Sequence, residues 1–470
     1  MVHAAVADLA KHLGPERVLT GERIPPRYRL DALRAHRGTR LPVAGVRPAA
    51  VVVPRSPHDV SSVVRFAREA GFNVVPWGGG TGLMGGARPR DDSIVLDLRR
   101  MHRVRSIDRA SCTAIAEAGI VLEGLDRRLR RRGLSLGHDP WSRPRATLGG
   151  AIGTNGLGYA GYLRGSMGDQ VLGLEVVLAD GTILRTRAAA RSTTGLDLKR
   201  LFIGTEGTLG IVTAATIRAF PIPEREDVRS FEIPDFTTGF TAVSRIYDDG
   251  LVPSVMELDE SFPAPALPWS SDEGPPTLHL GFAGKREVVG ASWRVANARL
   301  RRSRAKRLPA REARAFWRRR HAIIYHHDEV APGVTSADRL LANTIFDYAH
   351  VALPRSKVLA FRRSALSIVR RHRVAPIGFG TWTQPELVSL EMVRPVRADR
   401  EEAREAVADA IDEVLRRALA LGGSIEYVHG VGVKLTHLLA EELGEGLNLA
   451  RNVKRALDPA GTLNPGKAGF

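Results

Sequence analysis

The sequence predicts an α+β chain of more than one domain, and three observations carry that reading. A glycine-dense stretch at 76–86 lies between two short apolar runs of strand character. Strand-like and helix-like runs then alternate as far as about residue 222. From about 226 the texture changes, and strand-like segments mix with long basic helices. At 470 residues the chain also exceeds what one hydrophobic core usually supports.

Taken in order, residues 1–43 read as an amphipathic helix and a Pro/Arg-rich connector. A strand over 49–53 is stopped by Pro54. Ser56 is a helix N-cap with Pro57 at the first helical position; Val60, Val63, Val64 and Ala67 form the apolar face, and Gly71 ends the helix. Strands at 73–75 and 93–98 bracket the glycine stretch. Cys112 opens a strand over 112–119, and a helix over 121–132 ends at Gly133. Small residues dominate 138–169, a strand runs over 171–178, and Ala179-Asp180-Gly181-Thr182 is a hairpin turn. Further on, 230–233 and 277–282 read as strands, 293–302 and 358–371 as helices, 263–276 as a loop and 378–393 as sheet. The helix over 399–422 has carboxylates early and arginines late, which matches its dipole.

The run Pro76-Trp77-Gly78-Gly79-Gly80-Thr81-Gly82-Leu83-Met84-Gly85-Gly86 can expose successive backbone N–H groups with no Cβ in the way, and such concave runs bind phosphates. It is not a dinucleotide fingerprint, because Ala87 to Asp92 is turn material where a helix should open. No Lys-Ser or Lys-Thr closes it as a Walker loop. The reading is a strand–loop–strand anion cradle.

The net charge is +18, mostly from arginine, and reads as a solvated basic surface. No zinc-finger, helix-turn-helix or RNA-binding aromatic signature accompanies it, so nucleic acid is not an expected partner. Cys112 is the one cysteine, which excludes an intramolecular disulfide framework and suits a reducing compartment. No apolar run approaches the ~20 residues that span a bilayer, and the first residues lack a secretory pattern. A cytoplasmic protein, in contact at most with a membrane surface, is expected. His326-His327-Asp328-Glu329 reads as a solvated cluster.

Four motifs in order resemble one known family: Pro54; Gly78-Gly79-Gly80-Thr81-Gly82; Thr147-Leu148-Gly149-Gly150; and Gly204-Thr205-Glu206-Gly207-Thr208-Leu209-Gly210. Together they resemble the FAD-binding domain of the vanillyl-alcohol oxidase/p-cresol methylhydroxylase superfamily. The tail from Asp458 to Lys467 resembles the ending of its FAD-linked oxidase branch. That branch includes the glycolate oxidase D subunit, D-2-hydroxy-acid dehydrogenases and alkyl-dihydroxyacetone-phosphate synthase. The resemblance implies an α+β fold: a two-subdomain FAD-binding domain of PCMH type plus an α/β cap domain with an antiparallel sheet. It divides the chain into 1–43, 44–225 for FAD, 226–425 for the cap, and 426–470 returning to the FAD domain.

The resemblance also implies roles. Trp77, Gly78, Gly79, Gly80, Thr81, Gly82, Gly85 and Gly86 would wrap the pyrophosphate, with Pro54 near the adenine. Pro140, Thr147, Gly149, Gly150, Thr154 and Asn155 would line the ribityl chain and flavin ring. Tyr162, Asp169, Gln170 and Val171 would sit on the second loop, and Glu206, Gly210, Ile211 and Val212 on the adenosine and ribityl side; Asn464 belongs to the tail motif. The first loop has no histidine and the second no cysteine, so FAD is expected to be non-covalent.

On the substrate side, Ala352-Leu353-Pro354-Arg355-Ser356-Lys357 resembles a segment near the substrate of the hydroxy-acid dehydrogenases, which makes Arg355 a carboxylate fork or a surface arginine. Tyr427-Val428-His429-Gly430-Val431-Gly432 resembles the second active-site motif, of which only His429 is kept. The stretch 377–383 lacks the family's metal-binding histidines, so no metal site is expected. His429 would be the base, because an imidazole titrating near neutrality suits removal of a hydroxyl proton. The expected activity is FAD-dependent oxidation of an alcohol or 2-hydroxy acid, with electrons passed on to oxygen, a quinone or another protein. The alternative is a synthase-like flavin transferase without net redox. A homodimer is compatible with either.

Overall fold

The computed structural model describes residues 2–42, 44–263 and 274–470. Most of the loop expected at 263–276 lies outside the described residues. The first sheet has the order β1-β2-β4-β3 and contains β1 (Val18–Leu19), β2 (Ala50–Val52), β3 (Asn73–Trp77) and β4 (Ser93–Asp97). The second, of order β5-β6-β10-β8-β9, contains β5 (Val104–Asp108), β6 (Thr113–Glu117), β8 (Val171–Val177), β9 (Ile183–Arg185) and β10 (Ile211–Arg218). A short pair joins β7 (Leu134–Ser135) to β11 (Phe220–Pro221).

The third sheet has seven strands in the order β15-β12-β14-β13-β19-β20-β18. These are β12 (Arg225–Glu232), β13 (Val255–Ser261), β14 (Thr277–Gly284), β15 (Lys306–Arg307), β18 (Thr344–Ala352), β19 (Ala375–Trp382) and β20 (Leu387–Pro395). Every pairing in it is antiparallel. A last small pair joins β16 (Glu329–Ala331) to β17 (Val334–Thr335).

β3 and β4 pair in parallel, so the chain must travel back along the sheet between Trp77 and Ser93. No helix fills this return; the glycine-rich segment makes it as loop. The helix Pro57–Ala70 precedes it and starts as the sequence predicts. Ser56 accepts the Asp59 N–H at 3.1 Å in a capping box, and Gly71 closes the helix at φ 75°. The C-terminal tail joins the same sheet, because Val74 N–H donates to the Thr462 carbonyl at 2.8 Å and Asn464 N–H to the Val74 carbonyl at 2.9 Å.

The seven-stranded sheet is two-sided in character. Leu258, Val388, Leu390 and Phe379 are buried in one large apolar core together with residues of the helices Val358–Arg371 and Arg400–Ala420. On the opposite face stand Glu257, Asp259, Gly378, Gly380, Ser389, Glu391 and His350, together with Trp382. Two local readings are corrected. Cys112 is not in a strand; it sits half-buried in the β5–β6 turn at φ 52°. The helix expected from 293 starts at Arg286, and Gly290 within its first turns obscures the pattern there.

Candidate functional site

One cavity of about 500 Å³ is lined by residues from all three parts of the fold. From the first sheet come Trp77 to Met84 and Gly86; from the second, Thr147, Gly149, Gly150, Thr154, Glu206, Gly210, Ile211 and Val212, together with Pro140 ahead of it. The seven-stranded sheet adds Glu257, Asp259, Trp382, Glu391, Tyr348 and His350, and the loop after the helix Arg400–Ala420 adds His429.

The glycine loop is built around close approach. A Cβ at Gly79 would lie 2.2 Å from the Arg145 carbonyl oxygen, and one at Gly78 would lie 2.2 Å from Thr147 Oγ1. Among the described residues, no N–H from Gly78 to Gly86 donates to a protein acceptor, so the loop lines the cavity with open donors. The N-terminal connector braces it: Ala32 N–H donates to the Gly82 carbonyl at 2.9 Å, and Tyr28 packs edge-on against Trp77 at 5.4 Å. Thr147 caps the helix Leu148–Thr154 through the Gly150 N–H.

Glu206 joins the two ends of the chain. Its Oε1 accepts the N–H groups of Val431 at 2.8 Å and Gly432 at 2.9 Å. Asn464 Nδ2 donates to the carbonyls of Glu206 and Gly86 at 2.7 and 2.8 Å. The other oxygen, Oε2, is buried without a partner, and burial pushes the Glu206 carboxyl up to about 7. Asn464 therefore supports the cavity wall without lining it.

Other expected residues lie outside the lining. Pro54 is buried at the end of β2, Val171 at the start of β8, and a Cβ at Gly85 would meet Val433 at 2.6 Å. Asn155 is the left-handed cap of the helix Leu148–Thr154 and accepts the Gly168 N–H at 2.9 Å. Asp169 completes the capping box of a short helix with Ser166, and Gln170 is buried beside it. Tyr162 packs on Tyr247 with ring centres 4.5 Å apart. Arg355 is not brought to the cavity: it opens the short helical turn Arg355–Lys357 after β18, where its guanidinium pairs with Glu386 at 2.7 Å and with Asp248. Tyr427 is half-buried behind the lining, with its ring 5.7 Å from that of His350.

His429 is part of a group that the sequence alone did not reveal. Its Nδ1 lies 3.6 Å from Glu426 Oε2, and its ring centre 4.8 Å from that of His350. Glu426 Oε1 accepts three successive N–H groups, from Tyr427, Val428 and His429, at 2.8–3.0 Å, which fixes the carboxylate. The attraction of His429 and these N–H groups outweighs burial and holds the Glu426 carboxyl below its ordinary range. Burial drives His350 down to about 3, so it is neutral at ordinary pH. The ligand atoms of His350, Glu426 and His429 lie within 4.8 Å of one another, a spacing that could also hold a metal ion. Glu426 was legible as a carboxylate three residues before His429; His350 carried no local signal. His326 is exposed, but His327 lines the cavity, where burial takes it down to about 3. Arg37, from the connector, also reaches the cavity, with its guanidinium 4.8 Å from the Tyr348 ring centre.

A mixed sheet and an antiparallel sheet around a glycine-loop cavity, with a third, seven-stranded sheet lining its other side, define a PCMH-type FAD-binding fold with a cap domain. Residues 48–187 match the family described as FAD binding domain, and residues 222–468 match FAD linked oxidases, C-terminal domain. The chain belongs to the FAD-linked oxidase family. It is 30% identical over 434 residues to the glycolate oxidase subunit GlcD of Bacillus subtilis, covering 89% of this chain and 88% of that one. It is 28% identical to a probable mitochondrial D-lactate dehydrogenase of Danio rerio, covering 93% of this chain and 88% of that one. A solved alkyldihydroxyacetonephosphate synthase shares the fold, with a TM-score of 0.77 at 21% identity over 98% of this chain and 84% of that one. The chain is thus an FAD-linked oxidoreductase. Among the described residues no helix is long and apolar enough to cross a membrane.

Proposed function

We propose that this chain oxidises the CH–OH group of a small alcohol or 2-hydroxy acid, with His429 taking the hydroxyl proton. The observation that supports this most is one cavity lined by residues 78–84 and 86 of the glycine loop and by His350 and His429. The residues fit the cofactor. Open N–H donors suit pyrophosphate oxygens, and the unpartnered Oε2 of Glu206 is an acceptor for a sugar hydroxyl. Bound FAD supplies the hydride acceptor at its N5.

The chain's own residues handle the proton. Glu426, fixed by three N–H groups, keeps its negative charge facing His429 Nδ1, so the imidazolium formed on accepting a proton is stabilised where it arises. The names of the two relatives, a glycolate oxidase subunit and a D-lactate dehydrogenase, support a CH–OH donor. The flavin is held without a covalent bond on this reading, since Cys112 lies in a turn outside the lining and residues 76–86 carry no histidine or cysteine. Electrons then leave to oxygen, a quinone or a protein.

The test is anaerobic mixing of the yellow holoprotein with a panel of alcohols and hydroxy acids. Bleaching of the flavin band is expected, and acid precipitation should release the flavin into the supernatant. A purified protein that takes up no FAD, or whose flavin no member of the panel bleaches, would refute the reading.

A further inference from the structure

The cavity-facing side of the seven-stranded sheet carries carboxyl groups that proton transfer at His429 does not use. Asp259 of β13 stands opposite Gly380 of β19, which stands opposite Ser389 of β20, which stands opposite His350 of β18. One rung along, Gly378 faces Glu391 and Glu391 faces Tyr348; on the other side, Glu257 faces Trp382. All of these line the cavity. The glycines make the room. A Cβ at Gly380 would lie 2.0 Å from Asp259 Oδ1, and one at Gly378 would lie 3.3 Å from Glu391 Oε2.

Among the described residues none of Glu257, Asp259 and Glu391 forms an ion pair, although Arg37 attracts Glu391 from beyond contact, and Glu257 Oε2 is buried with no partner. Carboxylates held like this are costly unless a ligand satisfies them. A separate observation points the same way: Trp382 is only 8% exposed, and its indole N–H also has no partner. Trp141 lies beside it in the lining, with ring centres 5.8 Å apart.

Burial raises all three carboxyls, Asp259 to about 6 and Glu391 to about 7; the charge of Asp259 adds to the rise at Glu257 and Glu391, whereas a hydrogen bond with Glu257 tempers it at Asp259. Near neutrality such groups both donate and accept, as hydroxyl groups do. Indole faces suit the C–H faces of a carbon chain. A carboxylate-bearing substrate would meet repulsion here. Arg37 is the one guanidinium among the described lining residues, and it lies 3.7 Å from Asp347, which shares its charge.

We propose that Glu257, Asp259, Glu391 and Trp382 form a subsite for an uncharged, hydroxyl-rich chain, so that the alcohol oxidised is a polyol rather than a 2-hydroxy carboxylate. The assignment rests on the flavin-dependent alcohol oxidation argued above.

The test is calorimetric titration of the holoprotein near pH 7 with erythritol, xylitol and sorbitol, against erythronate, xylonate and gluconate, and against the amine 2-amino-1,3-propanediol. At least one polyol should bind tenfold or more tighter than its matched acid and than the amine. Asp259→Asn and Glu391→Gln should each weaken that binding about tenfold at unchanged flavin content. Equal or tighter binding of the acids or the amine, binding of none of the polyols, or full polyol affinity in both variants would overturn the proposal. Bleaching by hydroxy acids alone would overturn it too while leaving alcohol oxidation standing. A flavin-free protein would instead refute the activity, and the two failures are told apart because binding is read by heat rather than turnover.

Discussion

Glu206 Oε1 accepts the N–H of Gly432 at 2.9 Å, which ties the flavin-binding part of the chain to the loop that presents His429. A second N–H, from Val431, shares the same oxygen at 2.8 Å. Glu206→Ala strands two donors, and each unsatisfied buried donor costs about 1–3 kcal/mol. The expected result is a lower urea midpoint, with faster amide exchange at 431–432 than elsewhere in the loop. Unchanged exchange there would show that Glu206 does not hold the loop.

Gly79→Ala places a methyl 2.2 Å from a backbone oxygen that cannot swing away. The loop must shift, and the open N–H groups shift with it. Purified Gly79→Ala should retain its far-UV dichroism but lose most of its flavin absorbance. Gly250→Ala is a useful control for folding, because it is strained only by its φ of 77° and meets nothing within 4 Å; it should keep its flavin.

His429→Asn removes the proton acceptor while keeping a polar group of similar reach. Flavin content should be unchanged and anaerobic flavin reduction slowed by about 10²–10⁴-fold. Glu426→Gln should slow reduction less and alter its pH profile, since the imidazolium loses the charge that faces it at 3.6 Å. Stopped-flow absorbance measures both, and wild-type rates in His429→Asn would remove His429 from the chemistry.

Glu391 makes stability depend on pH. Burial raises its carboxyl from 4.5 to about 7, so between those values the folded chain keeps a proton that the unfolded chain releases. Its contribution is therefore lost as pH rises through that window and is flat above it. Buried histidines such as His350 act with the opposite sign, so a difference is the clean measurement. The urea midpoint of Glu391→Gln relative to wild type should climb from about pH 4.5 to about 7 and then level off.

Much of the cofactor side was legible because its constraints are local. A glycine run needs no partner to announce close approach, Thr147 caps a helix three residues away, and Ser56 and Gly71 bound their helix by their own chemistry. The substrate side was not legible in that way. Arg355 looked available until Glu386 and Asp248 proved to hold it, and the histidine at 350 sits among apolar neighbours in a strand that gives no hint of its role.

By itself, then, the sequence determined the family, through short motifs each local in the chain, and singled out the glycine loop at 76–86 and His429 as candidates. Only the tertiary structure decided that His350 and Glu426 meet His429, that Arg37 enters the cavity, and that Glu257, Asp259 and Glu391 share one face. The reason is register: pairing among β13, β19, β20 and β18 brings together side chains up to 134 residues apart, and no local periodicity encodes which strands will be neighbours.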